Sequence, residues 1–343
     1  MAYTDIDKPS DYFNTKLYTG NGSTQSITGV GFQPDLLWFK NRDSAINHMW
    51  FDSVRGIDKY FYGNLNEAEG TSATILTAIG SDGFSVGANN NVNGSGNGIA
   101  SWNWLANGAG VSNTDGSITS TVSANTTSGF SIVSYTGTGS LATVGHGLGV
   151  TPKMIIVKTR GSGGDWSVYH SSLGNTKNLK LNTTAAEQTS INYWNNTSPT
   201  SSVFTVNDEG NVNGSSVAMI AYCFAEKKGF SKAFSYTGNG SADGVFTYCG
   251  FKPAFLLVKS TGADNWCMLD NKRDTFNVMD KRLFPNLSNA ESTGVPTVVD
   301  FVSNGFKLRT SDSSFNLNGQ SFIGFAIAEH PFVTSTSVPT TAR

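Results

Sequence analysis

Three short apolar runs, each opened by a proline and closed by a lysine six positions later, set the rhythm of the chain. They run from Pro34 to Lys40, from Pro152 to Lys158 and from Pro253 to Lys259. A proline fits the first residue of a strand, where its missing N–H breaks no ladder bond. Four consecutive bulky apolar residues after it, such as Met154-Ile155-Ile156-Val157, predict a strand covered on both faces.

Other patterns recur around each run in the same order. Tyr18-Thr19-Gly20, Tyr135-Thr136-Gly137 and Tyr236-Thr237-Gly238 precede it and read as a strand ending in a glycine-dependent bend. A tryptophan segment follows, at Trp50, Trp166 and Trp266. Then comes N-x-x-x-A-E, from Asn64 to Glu69, Asn182 to Glu187 and Asn286 to Glu291, where the Asn suits a turn or helix cap. Asn93-Gly94, Asn213-Gly214 and Asn318-Gly319 stand before the long apolar stretches 99–106, 217–225 and 322–328, and predict type I′ hairpin turns.

Seven or eight short strands per unit predict an all-β chain of three tandem antiparallel β-sandwich, jelly-roll-like repeats of about 100 residues each. The expected divisions are a lead-in at 1–12, repeats at 13–107, 129–227 and 228–332, and a tail at 333–343. Residues 108–128, rich in Gly, Ser, Thr and Asn, read as a linker or a long surface strand.

Composition agrees with this picture. Only 14% of residues are charged, against about 25% in typical soluble domains. The net charge of −2 comes without a basic stripe, so no nucleic-acid partner is expected. The longest apolar run, at 217–225, is too short to span a bilayer as a helix, and no membrane insertion is expected. The first residues lack a hydrophobic signal core, so synthesis in a cytoplasm is expected. Cys223, Cys249 and Cys267 have neither disulfide-framework nor metal spacing and read as buried thiols.

No catalytic or phosphate-binding motif stands out, and no cofactor or metal is expected. The recurring Glu69, Glu187 and Glu291 could each belong to a glycosidase carboxylate pair. The simpler reading makes them structural partners of Lys40, Lys158 and Lys259 or of backbone N–H groups. Tyr193-Trp194-Asn195-Asn196 has no counterpart in the other units. An aromatic pair beside Asn amides suits a sugar ring, and packing on a neighbouring repeat or subunit suits it equally.

The opening Tyr3-Thr4-Asp5-Ile6-Asp7-Lys8-Pro9-Ser10, Gly31-Phe32-Gln33-Pro34-Asp35, Phe51-Asp52-Ser53-Val54-Arg55-Gly56 and Ala328-Glu329-His330-Pro331-Phe332 resemble a repeat-built family of virion structural, tail-fibre-type proteins of marine tailed phages. The second unit departs from Phe-Asp-Ser-Val-Arg-Gly, with Val168-Tyr169-His170-Ser171-Ser172-Leu173-Gly174 in its place. The resemblance implies a non-enzymatic, surface-exposed virion protein acting in host attachment. Its implied partners are other virion proteins and a host surface polysaccharide, and it implies a homo-oligomer, a trimer first. A capsid or tail decoration protein is the alternative, and a glycan depolymerase the second.

Overall fold

The computed structural model describes residues 3–161, 163–292 and 298–340. Residues 1–2 of the expected lead-in and 341–343 of the expected tail lie outside them. Almost every regular element is a strand, and all strand ladders among the described residues are antiparallel.

Three large sheets share one strand order. In the first, Phe13–Thr19 lies beside Gly98–Trp104, then Leu36–Asn41, then Met49–Asp52. In the second the same places belong to Phe130–Thr136, Ala218–Ala225, Pro152–Thr159 and Ser167–His170. In the third they belong to Ser231–Thr237, Ser321–Pro331, Phe251–Ser260 and Trp266–Asp270. A small sheet backs each: Gln25–Thr28 with Gly83–Val86 and Leu76–Gly80, Ala142–Gly145 with Val203–Val206, and Phe246–Tyr248 with Gly305–Leu308 and Val299–Val302. Each large sheet with its small one is a sandwich module.

The proline-to-lysine strands explain how the modules assemble. Successive side chains on a strand point to opposite faces. Leu37 and Phe39 enter the first module's own core with Ile27, Phe84 and Val86. Ile155 and Val157 do the same in the second module, and Leu256 and Val258 in the third. The alternate residues Leu36, Trp38, Met154, Ile156, Phe255 and Leu257 all meet in one further core, common to the three modules. Trp50, Trp102, Trp104, Trp166, Tyr222 and Trp266 fill it. A run buried on both faces is thus required by the architecture: one face packs within the module, the other against its two sisters.

Several expectations change. The stretch 108–128 is no free linker. Val111–Asn113 and Ser120–Asn125 pair onto the edge of the second large sheet, with Ser120 and Val122 turned inward on alternate positions. The lead-in also contributes to packing, since Ile6 is buried in the common core. Strand register replaces Trp50 with His48 as the counterpart of Trp166 and Trp266, because Met49, Ser167 and Cys267 pair with Phe39, Val157 and Val258.

The Asn-Gly signals are not type I′ turns. Asn90–Asn93, Gly210–Asn213 and Ser313–Asn316 each form a single helical turn, and Gly94 and Gly214 sit at φ −57° and −53°. A type I′ turn needs positive φ at both central residues. The asparagines are there for their side chains. Asn93 Oδ1 accepts from Asn21 N at 2.9 Å, Asn213 Oδ1 from Thr138 N at 2.8 Å, and Asn316 Oδ1 from Asn239 N at 2.8 Å. Each ties the turn to the Tyr-Thr-Gly bend across the module. The third member is therefore Asn316, not Asn318; Gly319, at φ +75°, belongs to the bend that follows.

Candidate functional site

The modules meet at three seams, and one backbone contact is common to all. The peptide N–H of the glutamate closing N-x-x-x-A-E donates to the next module: Glu69 to Arg160 O at 3.0 Å, Glu187 to Thr261 O at 2.9 Å, Glu291 to Arg42 O at 2.7 Å. The direction is cyclic, first to second, second to third, third to first, so the chain closes into a ring. The aromatic place before the following strand reinforces it. Trp166 Nε1 donates to Leu65 O at 3.2 Å, Trp266 Nε1 to Lys180 O at 2.8 Å, and His48 Nε2 lies 3.2 Å from Phe284 O. Trp38 Nε1 donates to His48 Nδ1, which leaves His48 Nε2 as the protonated nitrogen that donates across the seam.

Two seams carry matching charge networks. At the first-to-second seam Arg160 grips Glu69 through Nε–Oε2 at 2.9 Å and Nη2–Oε1 at 3.0 Å, and its Nη1 donates to Ser134 Oγ at 3.3 Å. Glu69 also accepts from Arg55 Nη1 at 3.1 Å, and Arg55 is paired with the buried Asp52. At the third-to-first seam Arg42 grips Glu291 at 2.9 and 2.6 Å, and Arg273 joins Glu291 to the buried Asp270. Both aspartates also accept from the adjoining module, Asp52 from Tyr222 Oη at 2.7 Å and Asp270 from Trp102 Nε1 at 3.1 Å.

Burial opposes charge on Arg55, and the carboxylates of Asp52 and Glu69 outweigh it, so the guanidinium stays above its ordinary range. Burial likewise pushes Glu291 up, but Arg42 and Arg273 hold it below the usual carboxylate value. Glu291 is thereby held as an anion at the seam.

The second-to-third seam is built differently. His170 replaces the aspartate, Leu173 the inner arginine, and Thr261 the outer arginine, as the register of Leu36 with Asp52, Met154 with His170 and Phe255 with Asp270 places them. His170 Nε2 donates to Gly324 O at 3.0 Å while Nδ1 accepts from Ser172 N. Burial lowers its pKa to about 4. Glu187 pairs with Lys177 of its own module. Where the guanidinium groups stand at the other seams, a cavity of about 440 Å³ opens, lined by Leu173, Lys177, Glu187, Ser235, Thr261 and Ser321 among others. This cleft is the candidate site.

The remaining sequence candidates lie elsewhere. Lys40, Lys158 and Lys259 do not pair with the glutamates. Their ammonium groups are buried against carbonyls: Lys40 Nζ on Asn41, Ser44 and Ile46, Lys158 Nζ on Asn66 and Gly164, Lys259 Nζ on Ser260 and Gly262. Tyr193 and Trp194 are buried in the second module's own core, in the one-turn helix Ile191–Trp194. Neither ring offers a face to a sugar, because the loop folds inward to place Trp194 against Tyr169 and Tyr193 against Trp194. Asn195 and Asn196 end that turn at φ 50° and 49°, and only Asn196 is fully exposed.

The repeat patterns described above leave out Arg42, Arg160 and Arg273, although the signal is in the chain. Arg42 and Arg160 stand two residues after Lys40 and Lys158, and Asp52-x-x-Arg55 repeats as Asp270-x-x-Arg273. Among the described residues no group of three or more His, Cys, Asp or Glu could hold a metal ion. No curated protein matches the sequence. A family model described as a domain of unknown function, DUF7483, matches residues 8–331.

Proposed function

The chain belongs to the DUF7483 family, and from that premise we propose that it is a non-enzymatic structural protein of a phage virion, exposed on the particle and working by attachment. The observation carrying the non-enzymatic part is the fate of the recurring acids. Glu69 and Glu291 are each held by two arginines, and Glu187 by Lys177. Acid–base cleavage of a glycosidic bond calls for two carboxylates facing one another across a substrate groove. Here the Glu69 and Glu291 carboxylates brace seams, and that of Glu187 is paired within its own module. The virion part is carried by the resemblance in residues 3–10, 31–35, 51–56 and 328–332.

A ring of three sandwiches around one aromatic core makes a compact block, with no shaft among the described residues. Such a block suits a decoration on a capsid or tail, held by other virion proteins, as well as the head of a fibre whose shaft is another chain. Host attachment through surface polysaccharide gains from multiple copies, since linked weak contacts raise affinity roughly 10²–10⁴-fold. Imaging purified particles with an antibody to the chain tests the reading: label on the virion surface is expected, and particles without label overturn it. A clearing assay on host polysaccharide separates the enzymatic alternative, with no clearing expected from the pure protein.

A further inference from the structure

We propose that the cleft at the second-to-third seam is a receptor for a guanidinium group, supplied as the arginine side chain of a partner protein. The other seams show what the space is shaped for. Arg160 reaches from the second module and lies between two acceptors, Glu69 of the first module and Ser134 of its own. Their counterparts at the second-to-third seam are Glu187 and Ser235, and both line the cleft. The backbone contact that sets the spacing is retained, Glu187 N to Thr261 O at 2.9 Å against Glu69 N to Arg160 O at 3.0 Å. The acceptors remain and the arginine is gone: the position holds Thr261, too short to reach either.

Charge counting gives the same answer. Glu69 is shared by two cations, Arg55 and Arg160, and Glu291 by Arg273 and Arg42. Among the described residues Glu187 has one, Lys177, which takes the part of the inner arginine. The outer part is open. A planar, forked donor fits a carboxylate in two-point contact where an ammonium fits as a single point. Leu173 and the hydroxyls of Ser235, Thr261 and Ser321 complete the walls with groups that flank a guanidinium without opposing its charge. The site follows from the sister seams alone and does not depend on the virion reading.

The test titrates the full chain with N-acetyl-arginine amide, N-acetyl-lysine amide and N-acetyl-citrulline amide, followed by nuclear magnetic resonance shifts of labelled protein. Saturable binding of the arginine probe is expected, tighter by about tenfold or more than either control, because only it offers a charged fork. Thr261→Arg should occupy the cleft from within, abolish binding and raise the melting temperature. Glu187→Gln should weaken arginine binding by about tenfold while leaving the fold intact. Equal binding of the arginine and citrulline probes, no saturable binding of the arginine probe, or undiminished binding by folded Glu187→Gln protein would overturn the proposal.

Discussion

Arg42 and Glu291, 249 residues apart in sequence, meet in a two-point ion pair with N–O distances of 2.9 and 2.6 Å. That contact closes the ring of modules, since it joins the third to the first. Glu291 is nearly buried and also carries Arg273. Replacing Glu291 by Gln leaves two guanidinium groups facing one neutral amide at a closed seam. Loss of one partner from a buried pair costs about 3–5 kcal/mol; the partial exposure of Arg42 places this one at or below the lower end. Urea unfolding of Glu291→Gln protein should show that loss. Arg42→Met should cost less, because Arg273 still neutralises Glu291. Equal losses in the two variants would sink the ranking.

Acid should weaken the second-to-third seam through His170. Its pKa is about 4 in the folded chain, against an ordinary value near 6.5. Below pH 6.5 the unfolded chain takes up a proton that the folded chain refuses until pH 4. Stability from this group is therefore complete above pH 6.5 and falls as the pH drops toward 4. At pH 4.5 the loss is about 2–3 kcal/mol. His48 adds to the same trend, as burial also lowers its pKa. His170→Asn removes the titrating group while keeping a donor, so its stability should fall less between pH 7 and 4.5 than wild type. Parallel losses would show that His170 does not control the transition.

How much of this was legible in the chain depended on which force each residue answers to. The proline-to-lysine strands could be read because burial on two faces leaves an unbroken apolar run, and Leu36 to Phe39 are all buried as that run requires. Asn93 and Asn213 were placed correctly before their long strands but given the wrong task. Asn serves positive φ and side-chain hydrogen bonding equally well, and only the fold shows which one is used. Trp194 misled because an aromatic beside amides looks alike in a core and on a surface. The ring closure could not be read at all, since it joins residues 249 positions apart with no local pattern to mark the partner.

The same ambiguity yields a sharp contrast at 316 and 318. Asn316 is fully buried, its Oδ1 accepting from Asn239 N and its Nδ2 donating to Ser241 O and Thr310 O, each at 2.8 Å. Asn318 is exposed. Asn316→Ala strands a part-buried donor and two carbonyls, that of Thr310 buried, and should cost about 1–3 kcal/mol. Asn318→Ala should stay within about 0.5 kcal/mol of wild type. Thermal unfolding of the two variants decides between the side-chain role and the hairpin role, for which Asn318 would be the sensitive site.

The three thiols should stay silent until the chain unfolds. Cys223, Cys249 and Cys267 are free and buried. Burial pushes Cys223 and Cys249 up to about 12, and moves Cys267 in the same direction. The reactive species is the thiolate. A disulfide reagent at pH 8 should find no reactive group in the native protein and three in denaturant. One thiol reacting rapidly in the native state would contradict the packing around it.

Finally, the odd seam should be convertible into a copy of its sisters, and the order of substitutions matters. His170→Asp alone places a carboxylate where Ser172 N can donate, while Leu173 N already donates to the carbonyl of residue 170 at 3.0 Å and Gly324 O lies close to the site His170 Nε2 now occupies. A buried charge without a partner costs several kcal/mol. Adding Leu173→Arg supplies the counterion at the spacing of Asp52 with Arg55 and Asp270 with Arg273, and that arginine can continue to Glu187 as Arg55 does to Glu69. One donor is still missing, because Tyr222 and Trp102 reach the other two aspartates, whereas register puts Phe325 in the matching place, opposite Leu257. Phe325→Tyr provides it. Stability should fall steeply in the first variant, recover by about 2 kcal/mol or more in the second, and recover further in the third, a coupling larger than independent sites show. Additive losses along the series would mean that the seam tolerates its own chemistry only, and that likeness of register does not carry likeness of environment.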